Sequence, residues 1–239
     1  MAFQTVSRFL GTSAVIAAIA SLAGCSSDGT SSTPPVQDPG ITGSENLSTE
    51  ANPYGIAYPT KGFGTQARKG AIAGSVFKNF KFYGYPEGDG TKGLQPISMS
   101  KYLDPETRNY KVIVLSLTGN WCYYCKKETT EIIAKLDMFK GKKIGMIQAV
   151  AEGNTAGVAA TKADFEQWVS GFKHNFDVFL DDGKRNLAPY FQSGGLPFNL
   201  VMDARTMEIL YAGNGAPSTL DTAYDSYTKW VDANPVTTY

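Results

Sequence analysis

Cysteine and histidine are nearly missing from this chain, with three of the first and one of the second among 239 residues. A structural zinc site draws four ligands mostly from those two residue types, and the supply here is too small, so no metal is expected. A framework of several disulfides is excluded for the same reason. Excess charge of one sign is lacking too, since 22 Lys and Arg balance 22 Asp and Glu. There is no basic field to gather nucleic acid and no acidic run to repel it. The apolar run near the N-terminus, Phe9 to Ala23, falls short of the ~20 residues that a spanning helix needs. What is present is 42% apolar and 18% charged, the balance of a soluble globular protein. The length suits one ordinary domain with appendages.

The N-terminal run follows Arg8, the only formal side-chain charge before Asp28, and fits an export signal. It closes on Leu22-Ala23-Gly24-Cys25, which resembles the lipobox of bacterial lipoproteins. That resemblance implies cleavage after Gly24, lipid on Cys25 and a membrane anchor. Each buried acyl methylene contributes ~0.8 kcal/mol, so several chains hold where one does not. Ser26 is non-acidic, which resembles the outer-membrane sorting default of Gram-negative lipoproteins. The expected location is therefore outside the cytoplasm, facing the periplasm or the cell surface. An ordinary secretory signal with an incidental cysteine is the alternative. From Ser26 to about Thr60 the chain is rich in Ser, Thr, Pro, Gly, Asn and Asp, too polar to offset its ordering entropy. The expected division is 1–24 signal, 25–69 lipid-anchored flexible linker and 70–239 folded domain.

Within the domain, Ser75–Tyr83 has the aromatic and β-branched content of a strand, and a Gly-rich loop follows over Gly84–Gly93. Lys111–Leu117 is a near-continuous apolar run, as in a strand buried on both faces. Beyond Trp121 the period becomes helical, with Cys125, Thr129, Ile132, Leu136 and Phe139 on one side and Gly141 as the stop. A strand over Ile144–Val150 leads to a helix with Thr161 as its N-cap, Asp164 standing where a capping box would carry Glu, and Phe165, Trp168 and Phe172 as core. A strand at Asp177–Leu180, a turn at Asp181-Asp182-Gly183 and a short helix over Leu187–Phe191 follow. A hairpin (Phe198–Met202 and Glu208–Ala212) and a last helix through Leu220 and Trp230 end the domain. The lone His174 is expected at a helix end, exposed or capping. The order predicts an α/β fold: a central mixed sheet with helices on both faces and a C-terminal hairpin.

The chemistry concentrates in Asn120-Trp121-Cys122-Tyr123-Tyr124-Cys125-Lys126-Lys127. A C-x-x-C that opens a helix directly after a buried strand places Cys122 at the N-cap. There, unpaired N–H groups and the helix dipole stabilise a thiolate. Cys125, one turn on, faces the core. Cys122 is then the attacking thiol and Cys125 the resolving one. Competing readings lose on composition. Haem attachment needs C-x-x-C-H and Lys126 stands in the histidine position, while a static disulfide this short stabilises little by chain entropy.

Trp121-Cys122-Tyr123-Tyr124-Cys125-Lys126 resembles the thioredoxin hexapeptide W-C-G-P-C-K, and Cys125-Lys126-Lys127-Glu128 resembles redoxin and cytochrome c maturation-type oxidoreductases. Gly195-Leu196-Pro197-Phe198-Asn199-Leu200-Val201-Met202-Asp203 is similar to the segment that carries that family's cis proline. The resemblance spans roughly residues 70 to 235 and implies a thioredoxin-like fold. It implies thiol–disulfide exchange with protein thiols or disulfides and an upstream electron donor or acceptor. It implies no cofactor beyond the redox-active disulfide itself. Pro197 becomes the wall facing that disulfide, and Leu196 a backbone site for an extended substrate. Trp121, Tyr123 and Tyr124 become substrate contacts. Two departures stand out. Tyr123-Tyr124 replaces the Gly-Pro that tunes redox potential, and Ser116 occupies the place of thioredoxin's buried aspartate. Glu128 is the candidate replacement for proton transfer, the alternative being a surface carboxylate paired with a helix lysine. A redoxin-type peroxidase and a non-catalytic binding lipoprotein are the other functions this pattern allows.

Overall fold

The computed structural model describes residues 45–60, 73–191 and 194–236. The signal segment, Cys25 and most of the expected linker lie outside the described residues. The described strands are β1 (Lys81–Tyr85), β2 (Gln95–Ser98), β3 (Val112–Gly119), β4 (Ile144–Glu152), β5 (Asp177–Leu180), β6 (Phe198–Asp203) and β7 (Ile209–Asn214). The helices are α1 (Tyr123–Ala134), α2 (Leu136–Gly141), α3 (Lys162–Phe172) and α4 (Leu220–Ala233). One seven-stranded sheet forms in the order β2-β1-β5-β4-β3-β6-β7. Strands β3, β4 and β5 run parallel, and β1, β2, β6 and β7 add antiparallel pairings at both sides.

The centre of the sheet follows from composition. Every residue of β3 and β4 is buried, as their near-continuous apolar runs predict. Pairing sets the faces: Ser116 lies opposite Gln148 on one side and Asn199 on the other, so all three point the same way. On that face Gln148 donates to Thr129 Oγ1 of α1 at 2.8 Å and accepts from Trp168 Nε1 of α3 at 2.8 Å. Helix α4 joins them through Lys135–Asp221 and the Phe139–Tyr224 ring pair. The opposite face carries Phe82 stacked on Phe179 at 4.7 Å and a ring cluster of Phe77, Phe80 and Tyr190.

Several local expectations are corrected. The strand expected over Ser75–Tyr83 is split. Residues 74–77 run beside the hairpin, with Gly74 N–H on Ile209 O at 2.8 Å and Phe77 N–H on Met207 O at 2.9 Å, and β1 begins only at Lys81. Strand β2, just past the expected Gly84–Gly93 loop, has no expected counterpart, because Pro96 and four residues at a sheet edge leave no strand pattern. Leu187–Phe191 forms turns, not a helix, and lays Tyr190 against Phe77 at 4.9 Å. His174 is buried, with Nε2 2.9 Å from Gln148 Oε1, because Lys173 caps α3 in the left-handed region (φ 53°) and turns the chain inward. Burial lowers the His174 pKa to about 4, so the ring is neutral at physiological pH.

The linker also ends earlier than its composition suggests. Residues 45–60 pack on the sheet: Leu47 bridges Phe80, and Asn52 donates to Ser100 O at 3.1 Å and to Leu103 O at 2.6 Å. Tyr58 donates to Phe77 O at 2.7 Å. The segment lacks apolar bulk but supplies donors to carbonyls that need partners, so it docks by hydrogen bonding. The α3 cap, by contrast, is as read: Thr161 Oγ1 accepts from Asp164 N–H, and the Asp164 carboxylate accepts from Thr161 N–H at 2.9 Å.

Candidate active site

Strand β3 ends at Gly119, and three backbone bonds fix the turn that follows. Asn120 N–H reaches Glu152 O at 3.0 Å, Trp121 N–H reaches Gly153 O at 3.1 Å, and Cys122 N–H reaches Gly119 O at 3.0 Å. Cys122 is the N-cap of α1, with extended backbone (φ −78°, ψ 110°), and its sulfur accepts the Cys125 N–H at 3.0 Å. That donor and the helix dipole both favour negative charge on Cys122 when the pair is reduced. Here the two cysteines form a disulfide. They are 1% and 0% exposed, so the distinction between them is one of position rather than exposure. Cys122 is flanked by surface residues, and Cys125 sits inside α1 beside the buried Glu128.

The Leu196–Pro197 peptide is cis. The Pro197 carbonyl is taken by Gly215 N–H at 2.7 Å, and among the described residues no hydrogen bond reaches the Leu196 backbone. Leu196 itself comes close to the end of β3. A β-carbon added at Gly119 would lie 3.0 Å from Glu152 Cβ, 3.1 Å from Trp121 Nε1 and 3.2 Å from Leu196 Cδ1. Glycine is therefore what lets the cis-proline loop and Trp121 close on the same spot.

Glu128 lies one turn beyond Cys125 on the same helix face and is 1% exposed. It is no surface carboxylate. Ser116 Oγ donates to its Oε2 at 2.8 Å, and Asn199 Nδ2 donates to its Oε1 at 2.8 Å. Burial pushes its pKa up to about 6, against the lowering effect of those two donors. Ser116, which stands where thioredoxin keeps its buried aspartate, donates to the carboxylate expected to replace it. Asn199 stood in the quoted proline segment without an assigned role. The i, i+3 spacing of Cys125 and Glu128 and the pairing of Asn199 with Ser116 were the signals that could have found this cluster.

Trp121, 38% exposed, donates its indole N–H to Glu152 Oε2 at 2.7 Å. The same oxygen accepts Gly157 N–H at 2.9 Å, and Lys184 pairs with the other oxygen. Burial raises the Glu152 pKa, but Lys184, Gly157 and Trp121 outweigh it and keep the carboxyl below its usual range. Neither Glu152 nor Lys184 stood out in sequence, since nothing local links them to Trp121. Tyr123 and Tyr124 are 72% and 64% exposed and meet edge-on at 5.5 Å. Among the described residues no cluster of three or more His, Cys, Asp or Glu could hold a metal ion.

No protein-family model matches the sequence, and no curated protein matches it. Solved structures do. A candidate thiol:disulfide interchange protein DsbE from Chlorobium tepidum aligns at 16% identity and TM-score 0.50, over 66% of this chain and 96% of that one. A hypothetical protein from Sinorhizobium meliloti aligns at 15% identity and TM-score 0.50, over 75% and 92%. The thioredoxin domain of a Bacteroides vulgatus thiol-disulfide oxidoreductase aligns at 19% identity and TM-score 0.48, over 66% and 97%. What is shared at these identities is the fold. It is thioredoxin-like: a mixed sheet with a C-x-x-C pair opening the helix after a central strand.

Proposed function

From this fold and its cysteine pair we propose that the protein is an exported, membrane-anchored thiol–disulfide oxidoreductase. The observation that carries the reading is the Cys122–Cys125 disulfide at the start of α1, one turn from a buried carboxylate with a raised pKa. In the reducing direction the Cys122 thiolate attacks one sulfur of a substrate disulfide. A Cys122–substrate disulfide forms, and the first substrate sulfur leaves and takes a proton. Glu128 accepts the Cys125 proton, and the Cys125 thiolate attacks Cys122 Sγ. The second substrate thiolate leaves and is protonated, and the protein disulfide closes. Two electrons and two protons pass from the protein dithiol to the substrate. The oxidising direction is the same sequence reversed.

By its resemblance to the family's proline, cis-Pro197 is the wall facing the disulfide, and the Leu196 backbone, which no hydrogen bond reaches among the described residues, offers an edge for an extended substrate. Trp121, Tyr123 and Tyr124 supply exposed aromatic contacts. Export and anchoring rest on the Phe9–Ala23 run and the Leu22-Ala23-Gly24-Cys25 motif, with lipid on Cys25. A Cys25→Ser chain should fail to incorporate labelled palmitate. The decisive test of the chemistry is Cys125→Ser in the full chain. It should accumulate mixed disulfides through Cys122 with protein partners or a model disulfide, and an absence of both would remove the proposal's centre.

A further inference from the structure

Apart from the buried carboxyls of Glu128 and Asp181, charges at the cysteine end of the sheet cancel in pairs, with one exception. Glu152 is matched by Lys184, Glu166 by Lys162 and Asp182 by Arg185, and Asp164 is engaged in the α3 cap. Lys126 and Lys127, exposed just past Cys125, make no ion pair among the described residues. The first turn of α1 contains no acidic residue, so the positive potential of the helix N-terminus adds to theirs. Beside them stand Tyr123 and Tyr124, whose rings touch each other and lie open. Trp121 is held in place by Glu152 with its charge already neutralised by Lys184. Val158, 54% exposed, borders the same surface, since its carbonyl accepts the Gly153 N–H and the Gly153 carbonyl accepts Trp121 N–H.

We infer that this surface docks a protein whose cysteine pair is flanked by carboxylates and an apolar or aromatic side chain. Aromatic rings beside uncompensated cations match a partner that presents apolar bulk with negative charge around it. The inference rests on the oxidoreductase reading and adds the partner's chemistry to it. Charge complementarity of this kind acts mainly on the encounter rate and is weakened by salt. A contact made by the Leu196 backbone is indifferent to sequence, so selection falls to the rings and to Lys126 and Lys127.

The test uses the pre-reduced full chain in single turnover, so that its own dithiol is the only reductant. Two disulfide-looped peptides share one aromatic residue and differ only in flanks of glutamate or lysine. Rates are divided by that for neutral hydroxyethyl disulfide, which cancels any change in thiolate content. The acidic peptide should react about tenfold faster at low salt, and the ratio should approach one in half-molar salt. The double variant Lys126→Glu, Lys127→Glu should invert the preference while still reducing hydroxyethyl disulfide. Equal rates at low salt, or a preference untouched by charge reversal, would overturn the inference and leave the oxidoreductase reading standing. Failure of the wild type on all three disulfides would sink both.

Discussion

Glu128→Gln tests the ionisation of this carboxyl through stability and its part in catalysis through rate. Glutamine keeps both bonds: its amide oxygen accepts from Asn199 and its amide nitrogen donates to Ser116. What changes is the ionisation. A rise from an ordinary value of 4.5 to about 6 means that the fold holds the proton more tightly than the unfolded chain does. The favourable contribution is then complete below pH 4.5 and lost as pH rises through 6. At ~1.36 kcal/mol per pH unit the loss approaches about 2 kcal/mol by pH 8. Urea unfolding of the oxidised proteins should therefore show a difference between variant and wild type that is pH-dependent. It should grow by about 2 kcal/mol in the variant's favour between pH 4 and pH 8. Over the same range disulfide exchange by the variant should be about 100-fold slower at pH 7, the usual scale for loss of general acid–base help. The wild-type rate should fall as pH drops below 6. Parallel stability curves, or an unchanged rate, would refute the assignment of Glu128 as an ionising base.

Other substitutions probe the surroundings. Asn199→Ala removes one of the two donors that hold the Glu128 pKa down, so the pH midpoint of the exchange rate should move above 6, read from a stopped-flow pH series. Gly119→Ala forces a methyl within 3.0–3.2 Å of Glu152, Trp121 and Leu196. Overpacking at that level should cost about 1–3 kcal/mol in chemical denaturation and slow exchange with protein disulfides. Asp181, buried and accepting from Asn186 N–H at 2.8 Å and Leu187 N–H at 3.1 Å, has its pKa pushed up to about 7 by burial. Its stabilising effect is lost as pH rises from about 4 through 7, so the stability of Asp181→Asn relative to wild type should rise by about 2–4 kcal/mol between pH 4 and pH 8. Tyr123→Ala with Tyr124→Ala should leave stability within about 0.5 kcal/mol while weakening turnover of a protein substrate, measured as a rise in KM.

The elements that were legible in the sequence are those whose signal is local and repeated. The apolar runs of β3 and β4, the capping box at Thr161 and Asp164, and the C-x-x-C before a helical period all state their structure within ten or so residues. What was hidden depends on where distant segments meet. Ser75–Tyr83 has strand composition throughout, yet its first part serves the β7 side of the sheet and its last part the β5 side. Residues 45–60 read as tether because composition measures apolar bulk, while their attachment is made by single hydrogen bonds such as those of Asn52. His174 looked exposed because its neighbours are polar in sequence. The apolar residues that bury it, Phe172 and Phe176, flank it two residues away on either side, and Gln148 comes from another strand.

The candidate site divides along the same line. Cys122, Cys125 and Pro197 carry their meaning in adjacent residues, but the proton acceptor had to be found through the sheet. Ser116 and Asn199 are neighbours only because β3 and β6 pair antiparallel in one register, and a slip of β6 by one residue would turn Asn199 away from α1. With that register, a hydroxyl and an amide converge on a carboxylate delivered from the helix. Burial raises the acid, two donors restrain it, and the balance at about 6 leaves the group largely ionised at neutral pH yet able to take a proton. Burial alone would raise the acid further, and the donors alone would lower it. Under the proposed exchange chemistry, a helix carboxylate supported by Ser116 and Asn199 stands in for the strand aspartate of thioredoxin.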